Sequence, residues 1–156
     1  MEEKSCAICS RQKDTKQETA TTIFEDDLWL VRHSAETNIL GYLVVESKRH
    51  FLDMSLSSDV ECQSLGYVLR EVNKALHRVL HPERIYTYTL AEAVPHFHIH
   101  VIPRTDAMPR HYRGRGIMSY PIKPFANKSL VDEISARLKT QVRHNLTMKQ
   151  RNLTRV

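Results

Sequence analysis

Pro95-His96-Phe97-His98-Ile99-His100-Val101-Ile102-Pro103 sets histidines at every second position, with apolar residues between them and a proline at each end. Side chains of an extended strand alternate between its two faces. The stretch therefore predicts a strand with His96, His98 and His100 on one side and Phe97, Ile99 and Val101 on the other. A helix would scatter the same histidines around its circumference, and the β-branched and aromatic fillers favour a strand as well. The apolar side is expected to meet a core and the imidazole side to face a site.

The spacing argues against one metal held by all three rings. His96 and His100 Cα atoms in a strand stand about 13 Å apart, at roughly 3.3 Å per residue. Zinc–nitrogen bonds are only about 2 Å, so the outer pair would need fully stretched, converging side chains. The three histidines are expected to divide their roles. Neutral imidazole is a good nucleophile toward phosphorus, and with a reference pKa near 6.5 roughly three quarters of it is neutral at pH 7. A central histidine can be flanked and oriented by its neighbours.

Upstream of this stretch, Thr21–Phe24 and Leu28–Val31 read as a hairpin around Glu25-Asp26-Asp27, and Gly41–Glu46 reads as a third strand. Ser58-Asp59-Val60-Glu61 is a capping box. After it Leu65, Val68, Leu69, Val72, Leu76, Val79 and Leu80 recur at helical spacing until Pro82 stops the helix. His77 and His81 read as surface residues of that helix. Ile85–Leu90 alternates as a fourth strand, and its short connection to the histidine strand predicts antiparallel pairing. Arg104 to Pro124 reads as a loop rich in Arg, Gly and Pro, followed from about Ser129 by a second helix. This is an α+β pattern: a five-stranded antiparallel sheet, a long helix between strands three and four, and a C-terminal helix.

At 156 residues the chain suits one domain able to bury about two thirds of its unfolded surface. The domain is expected over 1–145, with an N-terminal knuckle at about 1–20 and a basic C-terminal tail at 146–156. The absence of an apolar run of about 20 residues excludes a predicted membrane span. Met1 to Thr15 lacks the apolar core of a secretory signal, so a cytoplasmic protein is expected. The net charge is +5. Arg104, Arg110, Arg113 and Arg115 cluster after the histidine strand, and six Lys or Arg with no acid follow Glu133. An anionic ligand fits this distribution, as does a solvated basic surface.

The three cysteines are Cys6, Cys9 and Cys62. An odd number argues against a disulfide framework. Cys62 fits the long amphipathic helix. Cys6-Ala7-Ile8-Cys9 has the spacing of either a metal-chelating or a redox pair.

His96-Phe97-His98-Ile99-His100-Val101-Ile102 resembles the signature of the histidine-triad (HIT) family, and Pro103-Arg104 continues the match. Gly41-Tyr42-Leu43-Val44-Val45-Glu46-Ser47-Lys48-Arg49-His50 resembles that family's third strand with its basic-basic-His ending. The resemblance covers about residues 6 to 104. It implies a homodimer acting on nucleoside phosphates or dinucleoside polyphosphates as hydrolase or nucleotidyltransferase, through a nucleotidyl-histidine. On it His98 is the nucleophile that attacks the α-phosphorus and His100 steadies the phosphoryl oxygens. Arg104, His33 and Ser34 are expected to bind substrate. The resemblance also implies a structural zinc, one per chain, held by Cys6, Cys9, His50 and His96, as in the related galactose-1-phosphate uridylyltransferases.

This chain departs from that pattern at three places. Tyr42 stands where many members carry histidine after the glycine. Ala91-Glu92 replaces the usual Gly-Gln, and an Asn-Gly pair common in the preceding strand and turn is missing from Ile85–Leu90. Two other functions fit the residues: a non-catalytic, zinc-stabilised nucleotide-binding protein, or an enzyme removing nucleotides from nucleic-acid ends. The latter would rest on Arg110–Arg115 and the basic tail, and would show strong salt dependence.

Overall fold

The computed structural model describes residues 5–14, 19–34, 37–121, 123 and 127–153. A short helix α1 (Ala7–Lys13) opens the described chain, and strands β1 (Thr22–Glu25), β2 (Trp29–His33) and β3 (Leu43–Ser47) follow. Helix α2 (Asp59–Leu80) crosses to β4 (Arg84–Tyr88), β5 (His98–Arg104) completes the sheet, and α3 (Lys128–Leu153) closes the fold. The sheet order is β1-β2-β3-β5-β4 with every neighbour antiparallel. Because α2 carries the chain past the edge, β5 inserts between β3 and β4, and the histidine row lies inside the sheet.

The α+β architecture expected from the sequence is the one observed. The capping box is formed: the Ser58 backbone N–H donates to Glu61 at 2.7 Å and the Glu61 N–H donates to the Ser58 hydroxyl at 3.3 Å. Arg49 grips the same carboxylate through two nitrogens, at 3.0 and 2.8 Å. His81 adopts a left-handed conformation (φ 49°) that ends α2 just before Pro82.

Three details differ from the sequence reading. The expected N-terminal knuckle contains a helical turn, because Cys6 caps α1 by accepting the Cys9 N–H on its sulfur at 3.5 Å. His96 precedes β5 rather than belonging to it, since the ladder starts at His98. Helix α3 runs on to Leu153, into the stretch set apart as a tail. The loop after β5 holds two 3-10 turns, Arg110–Tyr112 and Gly114–Ser119.

The main core fills the space between one sheet face and α2 and α3. Trp29, Val31, Leu43, Val45, Phe97, Ile99 and Val101 meet Val72, Ala75, Leu76, Ile134 and Leu138 there. Phe97 stacks on Phe51 with centroids 5.1 Å apart and meets Trp29 edge-on at 6.1 Å. Full burial of an apolar side chain of this size stabilises by about 1.5–3 kcal/mol, so Phe97, Ile99 and Val101 pin the histidine strand from behind. Trp29 keeps its indole N–H satisfied by donating to Ser64 at 2.8 Å. A second cluster lies on the other sheet face, where Ile39, Ile102, Met108 and Ile117 pack with Tyr42, Tyr86, Tyr88, Tyr112 and Tyr120.

Gly41 turns the chain between β2 and β3 with φ +80°, and a Cβ there would press on Leu80, Leu76 and Pro103. Glycine is the residue that accepts both the dihedral and the close approach. Among the described residues no helix is long and apolar enough to cross a membrane.

Candidate active site

Strand parity puts Arg32, Val44, Glu46, His98, His100 and Ile102 on the sheet face away from the main core. They floor an open cavity of about 470 Å³. Ala7, Ile8 and Arg11 of α1 form one wall, residues 90–94 another, and Ile117, Met118, Tyr120 and Pro121 a third.

His98 is buried, with 8% of its surface exposed. Its Nδ1 lies 2.6 Å from the carbonyl oxygen of His96. A carbonyl accepts only, so Nδ1 carries the proton and Nε2 the lone pair. The His100 ring stands 4.8 Å away at an interplanar angle of 81°. Tyr88, directly opposite His100 in the β4–β5 ladder, stacks on it at 4.8 Å and 28°. Burial foremost, then the neighbouring His98 and Arg32, opposed by Glu46, hold His100 down at about 4. Its ring is therefore neutral at pH 7.

Behind His98 lies a second constellation. Sγ of Cys6 and Cys9 and Nδ1 of His50 and His96 all fall within 4.8 Å of one another. The His96 nitrogen is 3.4 Å from each sulfur and 3.3 Å from the His50 nitrogen, which is 3.4 Å from Cys9. A tetrahedron with bonds of about 2.0–2.3 Å has edges of roughly 3.3–3.8 Å, so these four atoms are spaced to hold one metal ion. The donor set, two thiols and two imidazoles, is a zinc set. His96 Nε2 donates to the Ser47 carbonyl at 2.8 Å, which turns Nδ1 toward the cysteines as a ligand. Burial pushes the His96 ring below its ordinary value, toward the neutral form that a metal requires.

The residues named from the sequence are not all brought to the cavity. Ser34 lines it. His33 is 1% exposed and engages backbone on both ring nitrogens: Nδ1 donates to the Ser34 carbonyl at 2.7 Å and Nε2 accepts the Gly41 N–H at 2.8 Å. Burial lowers its pKa, consistent with that neutral tautomer. Arg104, at the far end of β5, pairs with Glu83 and does not line the cavity. Cys62 is exposed on α2. Arg113 spends its guanidinium on the carbonyls of Met108 and Asp106.

Several cavity residues were not foreseen. Glu46, wholly buried, sits opposite His98 in the β3–β5 register and pairs with both Arg11 and Arg32, the latter at 2.7 Å. Gln12 adds a contact from α1 at 3.4 Å. The signal was present: Arg32 and Glu46 are opposite charges on neighbouring strands, each at the cavity-facing parity of an otherwise apolar run. Tyr88 was the other omission, and Tyr42 was read only as a departure from the family pattern. The Tyr42 hydroxyl lies 2.8 Å from His100 Nδ1 and 3.1 Å from the Tyr88 hydroxyl.

A family model described as the HIT domain matches residues 15–107. The adenosine 5'-monophosphoramidase hnt1 of Schizosaccharomyces pombe is 31% identical over 103 residues, covering 64% of this chain and 74% of its own. Among solved structures, a zinc-bound histidine-triad family protein from Mycobacterium smegmatis is similar at a TM-score of 0.68 and 18% identity, over 94% of this chain and 99% of that one. A HIT-like protein involved in cell-cycle regulation from Bartonella henselae is similar at a TM-score of 0.68 and 13% identity, over 88% and 96%. The two structural likenesses are likenesses of fold.

Proposed function

Because the chain belongs to the HIT-domain family, we propose that it is a nucleotide hydrolase or nucleotidyltransferase that works through a covalent intermediate on His98. The observation that carries this reading is the bond from His98 Nδ1 to the His96 carbonyl. It leaves the other nitrogen as a nucleophile on a ring that lines the cavity. In the first step the Nε2 lone pair forms a bond to the α-phosphorus of a nucleoside phosphate. The bond to the leaving group breaks, and that group departs with the electron pair and takes a solvent proton. In the second step water attacks the same phosphorus and returns a proton to solvent, the P–N bond breaks, and nucleoside monophosphate leaves as the lone pair returns to His98. The His98 ring is cationic while it bears the nucleotide, and the His96 carbonyl stabilises that charge.

His100 contacts the phosphoryl oxygens in this scheme. Ser34, Arg32 and Arg11 are the substrate-side groups in the cavity lining. His33 and Arg104 hold the frame of the sheet. The substrates in view are nucleoside phosphates whose leaving group is an amine, as the name of the fission-yeast relative states for that protein, or a second nucleotide. Cys6, Cys9, His50 and His96 would hold a structural zinc, which fastens α1 and its cavity-lining residues to the sheet and takes no part in the bond changes. The working unit is a homodimer.

The test is a panel of adenylyl compounds, from the phosphoramidate to dinucleoside polyphosphates, incubated with purified protein and read by release of AMP. Turnover is expected on at least one member, with a nucleotidyl-protein trapped on acid quench. His98→Ala should lower turnover by about 10⁴-fold or more. Wild-type rates in that variant would overturn the mechanism, and tight binding without turnover across the panel would make the protein a nucleotide-binding module.

A further inference from the structure

The surroundings of His100 carry more than a phosphate contact. Three polar groups stand in a chain: the Tyr88 hydroxyl, the Tyr42 hydroxyl 3.1 Å from it, and His100 Nδ1 a further 2.8 Å on. The rings are held as well as the atoms, since Tyr88 stacks on the imidazole and Tyr42 meets it edge-on at 5.7 Å.

The direction of the chain follows from acidity. A phenol, with a pKa near 10, is a far better donor than a neutral imidazole N–H, and an imidazole nitrogen is a better acceptor than a phenol oxygen. The Tyr42 O–H therefore donates to His100 Nδ1, and the Tyr42 oxygen accepts from Tyr88. With Nδ1 occupied as an acceptor, the proton of the neutral His100 ring resides on Nε2. His98 is the reverse, with its proton on Nδ1 and its lone pair on Nε2. Two imidazoles with centroids 4.8 Å apart thus offer opposite chemistry, one a nucleophile and the other a donor.

We infer that Tyr42 and Tyr88 are positioning residues that lock His100 as its Nε2–H tautomer, so that it donates a hydrogen bond to a non-bridging oxygen of the phosphoryl group that His98 attacks. The inference rests on the nucleotidyl-transfer reading for its catalytic consequence, although the tautomer itself does not. Tyr42 stands where the sequence pattern described above often has histidine, and a phenol supplies a hydrogen bond there without adding a positive charge near neutral pH. That matters because the nucleotidyl-His98 ring is cationic, and a charged neighbour would oppose its formation. The charged and titratable groups facing His100 are His98, Arg32, Glu46 and the two phenols, and Arg32 is already paired with Glu46.

The experiment is long-range ¹H–¹⁵N correlation of the imidazoles in the full-length protein, on the wild type and on Tyr42→Phe and Tyr88→Phe, together with steady-state kinetics. In the wild type, His100 should show an unprotonated Nδ1 and a protonated Nε2 throughout pH 5–8. Tyr42→Phe should mix the two tautomers and move the His100 titration upward, because the bond it removes favours the neutral ring. Its kcat should fall by about 10-fold or more while KM stays within about twofold, as for a donor that acts on the transition state. Tyr88→Phe should act in the same direction by less, and it decides the matter should Tyr42→Phe fail to fold. A wild-type His100 protonated on Nδ1 overturns the inference, as do variants that keep both the tautomer and kcat. The spectrum needs no substrate, so absence of turnover in the wild type would count against the hydrolase reading and leave the tautomer result standing.

Discussion

His96 and His98 are joined twice, by the chain and by a 2.6 Å hydrogen bond from the ring of His98 to the carbonyl oxygen of His96. His96 meanwhile presents Nδ1 to Cys6, Cys9 and His50 and lends Nε2 to Ser47. The orientation of the His98 ring therefore depends on a residue held by the Cys/His cluster, and disturbance of one group reaches the other through a single peptide.

Substitution at the cluster is expected to show this coupling. Cys6→Ser should lose the metal, measured as about one zinc per chain in the wild type and well under half of that in the variant. Loss of a metal site is among the large single-site effects, about 3 kcal/mol or more, which in a chain of this size lowers the melting midpoint by roughly 6–12 °C or more. Turnover should fall as well, since α1 carries Arg11 into the cavity wall. A variant that keeps full zinc would remove Cys6 from the ligand set.

Glu46 is a stability element. Its buried carboxylate answers two guanidiniums, so Glu46→Gln leaves Arg11 and Arg32 facing each other without a counter-charge. The expected loss is about 3 kcal/mol, read from denaturant midpoints at constant slope. A change below about 0.5 kcal/mol would show that solvent already screens the trio.

Two backbone positions should respond with opposite signs. Ala91 holds φ +53° and Gly41 φ +80°. A left-handed conformation costs an L-residue about 1–2 kcal/mol. Ala91→Gly should therefore stabilise by about 1 kcal/mol, and Gly41→Ala should destabilise by at least that much because of the crowding by Leu80. Thermal melts of the two variants against wild type give the check.

Stability should also fall in acid through Glu61. Its hydrogen bonds to Arg49, and then to Ser58, lower its pKa from 4.5 to about 2 in the folded protein. A depressed carboxylate contributes stability that is complete above its unfolded value and is lost as pH falls through the folded one. The stability difference between wild type and Glu61→Gln should accordingly be constant above about pH 5 and shrink between about pH 4.5 and 2. A difference independent of pH in that window would mean that the ion pair does not set the titration.

Much of this arrangement could be read from residue order because it rests on short-range pattern. The alternation around His98, the Ser58–Glu61 box and the stripe from Leu65 to Leu80 are local, and each forms the element it implies. The four metal-binding candidates were reachable through resemblance, and they converge. What escaped depends on which strands become neighbours. Arg11, Arg32 and Glu46 meet only because α1 folds over β2 and β3, and Tyr88 reaches His100 only through the β4–β5 register. His33 misled for the same reason: adjacency to Ser34 in the chain says nothing of sheet parity, which turns His33 into the core while Ser34 lines the cavity. Arg104 is too far along β5 from His98 to share its cavity, a distance that strand rise alone could have indicated.

The reach of the Cys/His cluster along the chain also bears on how the molecule is made. Cys6 must find His96, ninety positions later. A helix of seven residues such as α1 is marginal on its own in water, so it depends on the sheet for support, and its contact with His96 cannot form until that residue has been made. The entropy of closing so long a loop grows only logarithmically with length, so the separation in sequence is itself a modest obstacle. The cavity wall that α1 supplies is therefore completed by a contact that spans most of the chain, one that cannot form before the histidine strand has been made.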